Sequence, residues 1–304
     1  ENEKVYSLNN IKLYTTNKDL IYAENIDDKI KADLFIFASM HKSESKIKNL
    51  TIHSIGNFGK RKFNEIDFGG RDKTLCKVNA SMLKLMFLEL NSLAKNSNYS
   101  VTIEATHHGP FLNKPAIFIE IGPSEEEWKD KKAGNIIANT IINAISKFKN
   151  QNYEITFGIG STHYPSNFNK IMLNTNIAIS YICAKYNLEN LDKELILQAV
   201  NNAERNLDFI LLDWKGLGKE KQRILKDRVL LIGQNLIDTK DKTNETLLEI
   251  KKDLEKIKGS VEKMRSFIEN ISTEFPKFAR KDDLDILVKQ ARMFQPLKYL
   301  KESF

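Results

Sequence analysis

The chain holds only five histidines, and two of them stand side by side in VTIEATHHG, at the end of an apolar run that begins at Val101. His41 closes another such run, ADLFIFASMH; His53 lies in a third, LTIHSIG; His163 follows a fourth, YEITFGIG, in the stretch STHYP. Imidazoles at strand ends can serve as metal ligands or as general bases. A lone histidine there is more often a hydrogen-bonded structural group, and it is the coincidence of the five that turns the balance towards one site. Glu104 and Glu120 lie in apolar runs too, where a carboxylate is costly unless paired or used. For Glu120 the plainer alternative is a salt bridge to a neighbouring lysine. If VTIEATHH stays extended, Thr102, Glu104, Thr106 and His108 share one face and His107 points elsewhere. An acid, a hydroxyl and an imidazole in line offer a base with an orienting carboxylate, or a ligand with a supporting acid.

The elements that must position these groups read as an alternation. Residues 32–41, 50–56, 101–109, 115–122 and 153–160 are rich in Ile, Phe, Val and Thr and end in Gly, Ser or His, which predicts buried strands. Between them, 81–95 and 125–148 carry the apolar spacing of helices. The second opens at Ser124 with Glu127 three residues on, the spacing of a capping box. The expected fold class is α/β, a mixed sheet flanked by helices. In such folds ligands bind beyond the strand ends, and glycines at 56, 109, 122, 158 and 160 would leave backbone open to a substrate there.

After Asn187 the chain reads as helical, with 191–217 as its clearest piece. Leu247, Ile250, Leu254, Ile257, Val261, Met264, Ile268, Ile271 and Phe275 then recur at alternating spacings of three and four. That seam predicts a C-terminal helical coiled-coil tail and a homo-oligomer through 247–275. The competing reading is one amphipathic helix lying on its own domain. Pro276 ends this helix and residues 281–294 start another. The division expected is an α/β catalytic domain over 1–233 and a helical extension over 234–304.

Composition narrows the chemistry. The net charge of +7, with basic clusters at Lys60-Arg61-Lys62 and from Lys129 to Lys132, favours polyanionic partners, although a solvated lysine-rich surface explains such a charge equally well. Cys76 and Cys183 have no Cys-x-x-Cys spacing and read as buried free thiols. No apolar run is long enough to span a bilayer, so a soluble, cytoplasmic protein is expected. A Gly-x-x-x-x-Gly-Lys-Ser loop, a Gly-x-Ser-x-Gly elbow and a His-Glu-x-x-His helix are all absent from the sequence. Activation of water remains, and any zinc site must be assembled from separate strands.

SMHKSESKIKNLTIHSIGNFG, EATHHGP, EIGPSEEEW, HYPSNF and DFILLDWKGL resemble, in order, the motif blocks of the archaeal and plant type of D-aminoacyl-tRNA deacylase, over about residues 10 to 218. The resemblance implies hydrolysis of the ester joining a D-amino acid to tRNA, zinc dependence, a phosphorylase-like and peptidyl-tRNA hydrolase-like core, and an archaeal cytoplasm. It implies His108, Glu104, Thr106, His163 and Glu120 as catalytic candidates, and His107, His108, His53, His41 and His163 as candidate metal ligands. Gly109, Asn57, Gly56, Gly122, Gly160, Lys60 and Arg61 are candidates for substrate binding. In this reading His108 or His163 is base or ligand, Glu104 or Glu120 the orienting acid, and backbone N–H groups near Gly109 the oxyanion donors. Met40, Gly122-Pro123-Ser124 and the loop GIGSTHYPSNF depart from the family pattern, which bears on substrate preference. The rival readings are a non-catalytic RNA-binding protein dimerised by its tail and a peptidyl-tRNA hydrolase-like enzyme.

Overall fold

A computed structural model describes residues 4–44, 47–59, 68–149, 151–274 and 280–294. Contacts divide the chain into two compact units, Glu1–Asn235 and Leu236–Phe304. The first opens with an antiparallel hairpin of β1 (Val5–Leu8) and β2 (Ile11–Tyr14), followed by the short helix α1 (Ile26–Lys29). Then come β3 (Phe35–Met40), β4 (Asn49–Ser54), the two-residue strands β5 (Gly56–Asn57) and β6 (Thr74–Leu75), helix α2 (Ala80–Ala94), β7 (Ser100–Ile103) and β8 (Ala116–Gly122). Helices α3 (Glu125–Trp128) and α4 (Lys131–Lys147) precede β9 (Glu154–Gly160), α5 (Ser166–Asn174), β10 (Ile177–Cys183), α6 (Lys193–Asn201) and β11 (Phe209–Asp213).

The expected mixed α/β architecture is present, and its strands divide between two principal sheets. One is four-stranded in the order β3-β8-β4-β7; β3 pairs with β8 and β4 with β7 in parallel, and β4 with β8 antiparallel. The other is parallel, in the order β10-β9-β11. Buried Phe37, Ile55, Leu112, Ala116 and Phe118 form one apolar cluster beside the first sheet. Helix α2 packs against α4, β7 and β10 and buries every residue from Ala80 to Phe87, including Lys84. The Lys84 ammonium donates to the carbonyls of Met172, Thr175 and Ile177 at 2.9, 2.5 and 2.9 Å, so the buried charge closes the turn between α5 and β10. Both cysteines are buried free thiols, and burial pushes Cys76 up to about 12.

Four sequence expectations change. The strand expected over 101–109 ends at Ile103, because the next backbone groups bond to three different segments: Glu104 N–H donates to Ile52, Ala105 N–H to His163 and Thr106 N–H to Ile182. The single helix expected over 125–148 breaks at Asp130, whose carboxylate accepts from Lys132 N–H at 2.8 Å and starts α4 afresh. The Ser124 hydroxyl donates to the Glu127 carboxylate at 2.7 Å, while its side chain caps no backbone N–H, so the two side chains bond to each other and not as a capping box. Residues 191–217 are not one helix: α6 ends at Asn201, and Phe209–Asp213 joins the sheet beside β9, which supplies the backbone partners that a short apolar run cannot supply itself.

The second unit is helical. Helix α7 (Lys219–Glu274) runs without a break into it, and α8 (Lys281–Phe294) occupies the stretch expected from sequence. Phe275 and Pro276 lie outside the described residues. Among the described residues no helix is long and apolar enough to cross a membrane.

Candidate metal centre

The segment Glu104–His108 leaves β7 and runs between the two sheets, bonded to β4 on one side and to β10 on the other. Thr106 is the rivet. Its hydroxyl oxygen accepts from Ile182 N–H at 3.0 Å and shares a hydrogen bond with Ser54 at 2.7 Å, both buried. Those bonds make Thr106 a positioning residue for the segment.

All five histidines converge there. His107 lies among His53, His108 and His163, with ring centroids 4.3, 4.3 and 4.7 Å away, and His53 lies 4.8 Å from His108. The Glu104 carboxylate lies 3.3 Å from His163 Nε2, 3.5 Å from His107 Nε2 and 3.8 Å from His41 Nδ1. Glu120 faces His53 Nε2 at 3.6 Å, in place of the lysine weighed for it. The expectation that His107 points elsewhere fails because the chain is no longer extended at that point: His107 turns to Glu104, whereas His108, at φ +47°, turns to Phe118. Glu104 and His108 therefore do not share a strand face.

Hydrogen bonds fix the tautomers. The Nδ1 atoms of His53, His107 and His108 face the carbonyls of Ser54, Ala105 and Gly109 at 3.0, 2.8 and 2.6 Å. Each Nδ1 must carry a proton, which in the neutral rings of His107 and His108 leaves Nε2 with its lone pair, the arrangement usual for imidazole ligands. Burial, then the charge of His53, pushes His107 well below its ordinary value and His108 down to about 3, so both stay neutral. His53 moves the other way; burial lowers it, but the Glu120 carboxylate close by, with the charge of Glu104, prevails and raises it. Burial opposes ionisation of Glu104, yet His163, His53 and His41 hold its carboxyl below the usual range.

The donor set fits a metal ion. Both Glu104 oxygens and His53 Nε2 are buried without a hydrogen-bond partner. A buried carboxylate in that state costs several kcal/mol unless a cation joins it. Three overlapping groups bring one ligand atom each within 4.8 Å: His53, His107 and His108; Glu104, His107 and His163; His41, Glu104 and Glu120. Imidazole and carboxylate donors suit zinc.

The residues around the centre explain other motifs. The ring of His41 occupies the space a Cβ on Gly122 would take, 2.3 Å from that position, and Trp128 Nε1–H donates to the His41 carbonyl at 3.2 Å. EIGPSEEEW is thus a brace for His41. Space is likewise filled at Gly56 by Leu75, at Gly109 by the backbone of Gly70 and at Gly158 by Phe168, so these glycines serve close packing and the open backbone expected of them is absent. Gly109 N–H donates to Phe68 and Gly56 N–H to His108, which removes both from the oxyanion donors expected near Gly109. Gly160 lies at φ +98°, and a Cβ there would meet the Asp213 carbonyl oxygen at 3.3 Å. Asn57 donates to Gly69 at 3.0 Å and holds that loop. Lys60 and Arg61 lie outside the described residues.

Two tyrosines were not singled out from sequence. Tyr164 hydroxyl is 3.0 Å from His41 Nε2, and Tyr186 hydroxyl 3.1 Å from His163 Nδ1. Tyr164 adjoins His163 in HYP and was legible there; Tyr186 carries no local signal.

Residues 28–233 match the family model for D-aminoacyl-tRNA deacylase. Curated proteins named D-aminoacyl-tRNA deacylase from Thermococcus onnurineus and Pyrococcus furiosus are 39% and 36% identical over 229 and 244 residues, covering 73% and 78% of this chain and 82% and 87% of theirs. A crystal structure described as a conserved protein of unknown function is 31% identical with a TM-score of 0.64, covering 76% of this chain and 84% of that one.

Proposed function

The chain belongs to the D-aminoacyl-tRNA deacylase family, and on that premise we propose that Glu104, His107 and His163 hold a zinc ion used to hydrolyse the ester between a D-amino acid and tRNA. The observation that carries this reading is the Glu104 carboxylate, buried with neither oxygen hydrogen-bonded and ringed by three imidazole nitrogens at 3.3 to 3.8 Å. Zinc bound there would polarise the ester carbonyl and acidify a water molecule.

The chain's own groups have distinct parts. Tyr186 orients His163 through Nδ1, and the Ala105 carbonyl orients His107 in the same way. His163 and His107 are more exposed than Glu104, so substrate approaches from their side. His108, held neutral, is a poor base near pH 7 and keeps its lone pair as a further ligand. Glu120, 3.6 Å from His53 Nε2, favours the charged form of that imidazole beside the site. The net charge of +7 attracts the phosphates of tRNA. Residues 1–233 form the deacylase module and 234–304 its extension, and the enzyme works in the cytoplasm, where aminoacyl-tRNA is made and consumed.

The test is release of amino acid from D-Tyr-tRNA and from L-Tyr-tRNA, each with and without a zinc chelator. Fast, D-selective and chelator-sensitive release is expected. Release indifferent to the chelator would overturn the metal assignment, and no release from either isomer would overturn the deacylase reading.

A further inference from the structure

The seam on α7 lies beyond the family match, which ends at residue 233, and its apolar side chains between Leu247 and Ile271 stand exposed. From Leu247 to Met264 each is 50 to 60% exposed, Ile268 is 61% exposed and Ile271 37%. Eight apolar groups at one heptad spacing, left in water, constitute a continuous face about 37 Å long at 1.5 Å per residue.

We propose that this face joins three or four copies of the chain in a parallel, in-register coiled coil between Leu247 and Ile271. The occupant follows from the flanks of the seam. With Leu247 and Leu254 at a and Ile250 and Ile257 at d, the e positions are Lys251, Lys258 and Arg265, all basic. An antiparallel pair sets e against e, so three cations would face three cations across the interface. A parallel pair sets e against g of the neighbour, where Lys258 meets Asp253 and Arg265 meets Ser260. In the single chain Asp253 bonds instead to Lys256 at 3.1 Å and Arg265 to Glu269 at 3.1 Å, both highly exposed pairs that yield readily.

The number of strands follows from the core. Leu at a with Ile at d, as in the first two heptads, shifts coiled coils from two strands to three or four, because β-branched residues pack poorly at d of a dimer. Phe267 at g is 64% exposed and widens the apolar face beyond the a/d stripe, a surplus that a dimer leaves wet and a larger bundle covers.

Sedimentation equilibrium of the full chain measures the mass. Three or four times 35.0 kDa is expected, and Ile257→Lys should reduce it to one chain without changing ester release per chain. A single-chain mass for the unsubstituted protein at about 50 μM, well above the micromolar range, overturns the proposal, and a two-chain mass overturns the strand number. Orientation is read with Ile271→Cys under mild oxidation, since Cys76 and Cys183 are buried. Disulfide-linked chains are expected from a parallel bundle, and an unlinked oligomer would overturn the orientation. None of these masses depends on whether the active-site reading is right.

Discussion

The centre around Glu104 and the seam along α7 are opposites. At the centre, polar groups are buried without partners; on the helix, apolar groups are exposed without partners. Both arrangements cost free energy in an isolated chain, and each states the chemistry of what removes the cost. A carboxylate among imidazole lone pairs calls for a small cation, and an apolar stripe flanked by basic residues calls for a parallel copy of itself, which sets Asp253 against Lys258. The first answer lies within one chain, the second between chains.

Breaking the centre should have the largest effect. Glu104→Gln keeps the shape and removes the charge, so release from D-Tyr-tRNA should fall by about 100- to 1,000-fold, the equivalent of about 3 to 4 kcal/mol of lost stabilisation. Zinc per chain, by atomic absorption, should fall with it; full zinc content with lost activity would assign Glu104 to proton transfer instead.

A smaller loss is expected from Gly122→Ala, because the added methyl meets the His41 ring. Displacing a supporting imidazole costs about 10- to 100-fold. Unchanged single-turnover rates would show that His41 is not needed where it stands.

The metal-stripped protein should lose stability as pH falls from 7 to 5. His107 and His108 have depressed values in the fold, so below about 6.5 the unfolded chain takes up protons that the folded chain refuses. The loss is on the order of 2 kcal/mol per imidazole over that window. His53, raised in the fold, works the other way, its contribution being full below about 6.5 and lost at higher pH. A urea midpoint that stays flat with pH would mean that the imidazoles are less enclosed than their geometry indicates.

Ser54→Ala removes one partner of the Thr106 rivet and should cost about 1 to 2 kcal/mol of stability by urea unfolding, with zinc content retained. Ile257→Lys should have the smallest effect on the centre, leaving zinc content and thermal midpoint of the first unit unchanged. A tail substitution that altered zinc content would end the contrast between the two regions.

The sequence by itself determined the ingredients. Short runs rich in Ile, Phe and Thr gave β3, β4, β8 and β9, because β-branched and aromatic side chains favour a pleated, packed surface. All five histidines and both acids of the cluster were legible as one site, since their types are rare and their places recur at strand ends. The seam of α7 was legible because its period is local. Tertiary structure alone decided how those ingredients meet. The VTIEATHH run is uniform in sequence, yet its backbone leaves β7 after Ile103 to bond with Ile52, His163 and Ile182, and that turn aims His107 rather than His108 at Glu104. Phe209–Asp213 became a strand only because the edge of β9 was there to receive it. Tyr186 reaches His163 across 23 residues, a contact that no local pattern encodes. Period and composition are properties of neighbouring residues, whereas a partner for a buried N–H or carboxylate is chosen by whatever the fold brings near.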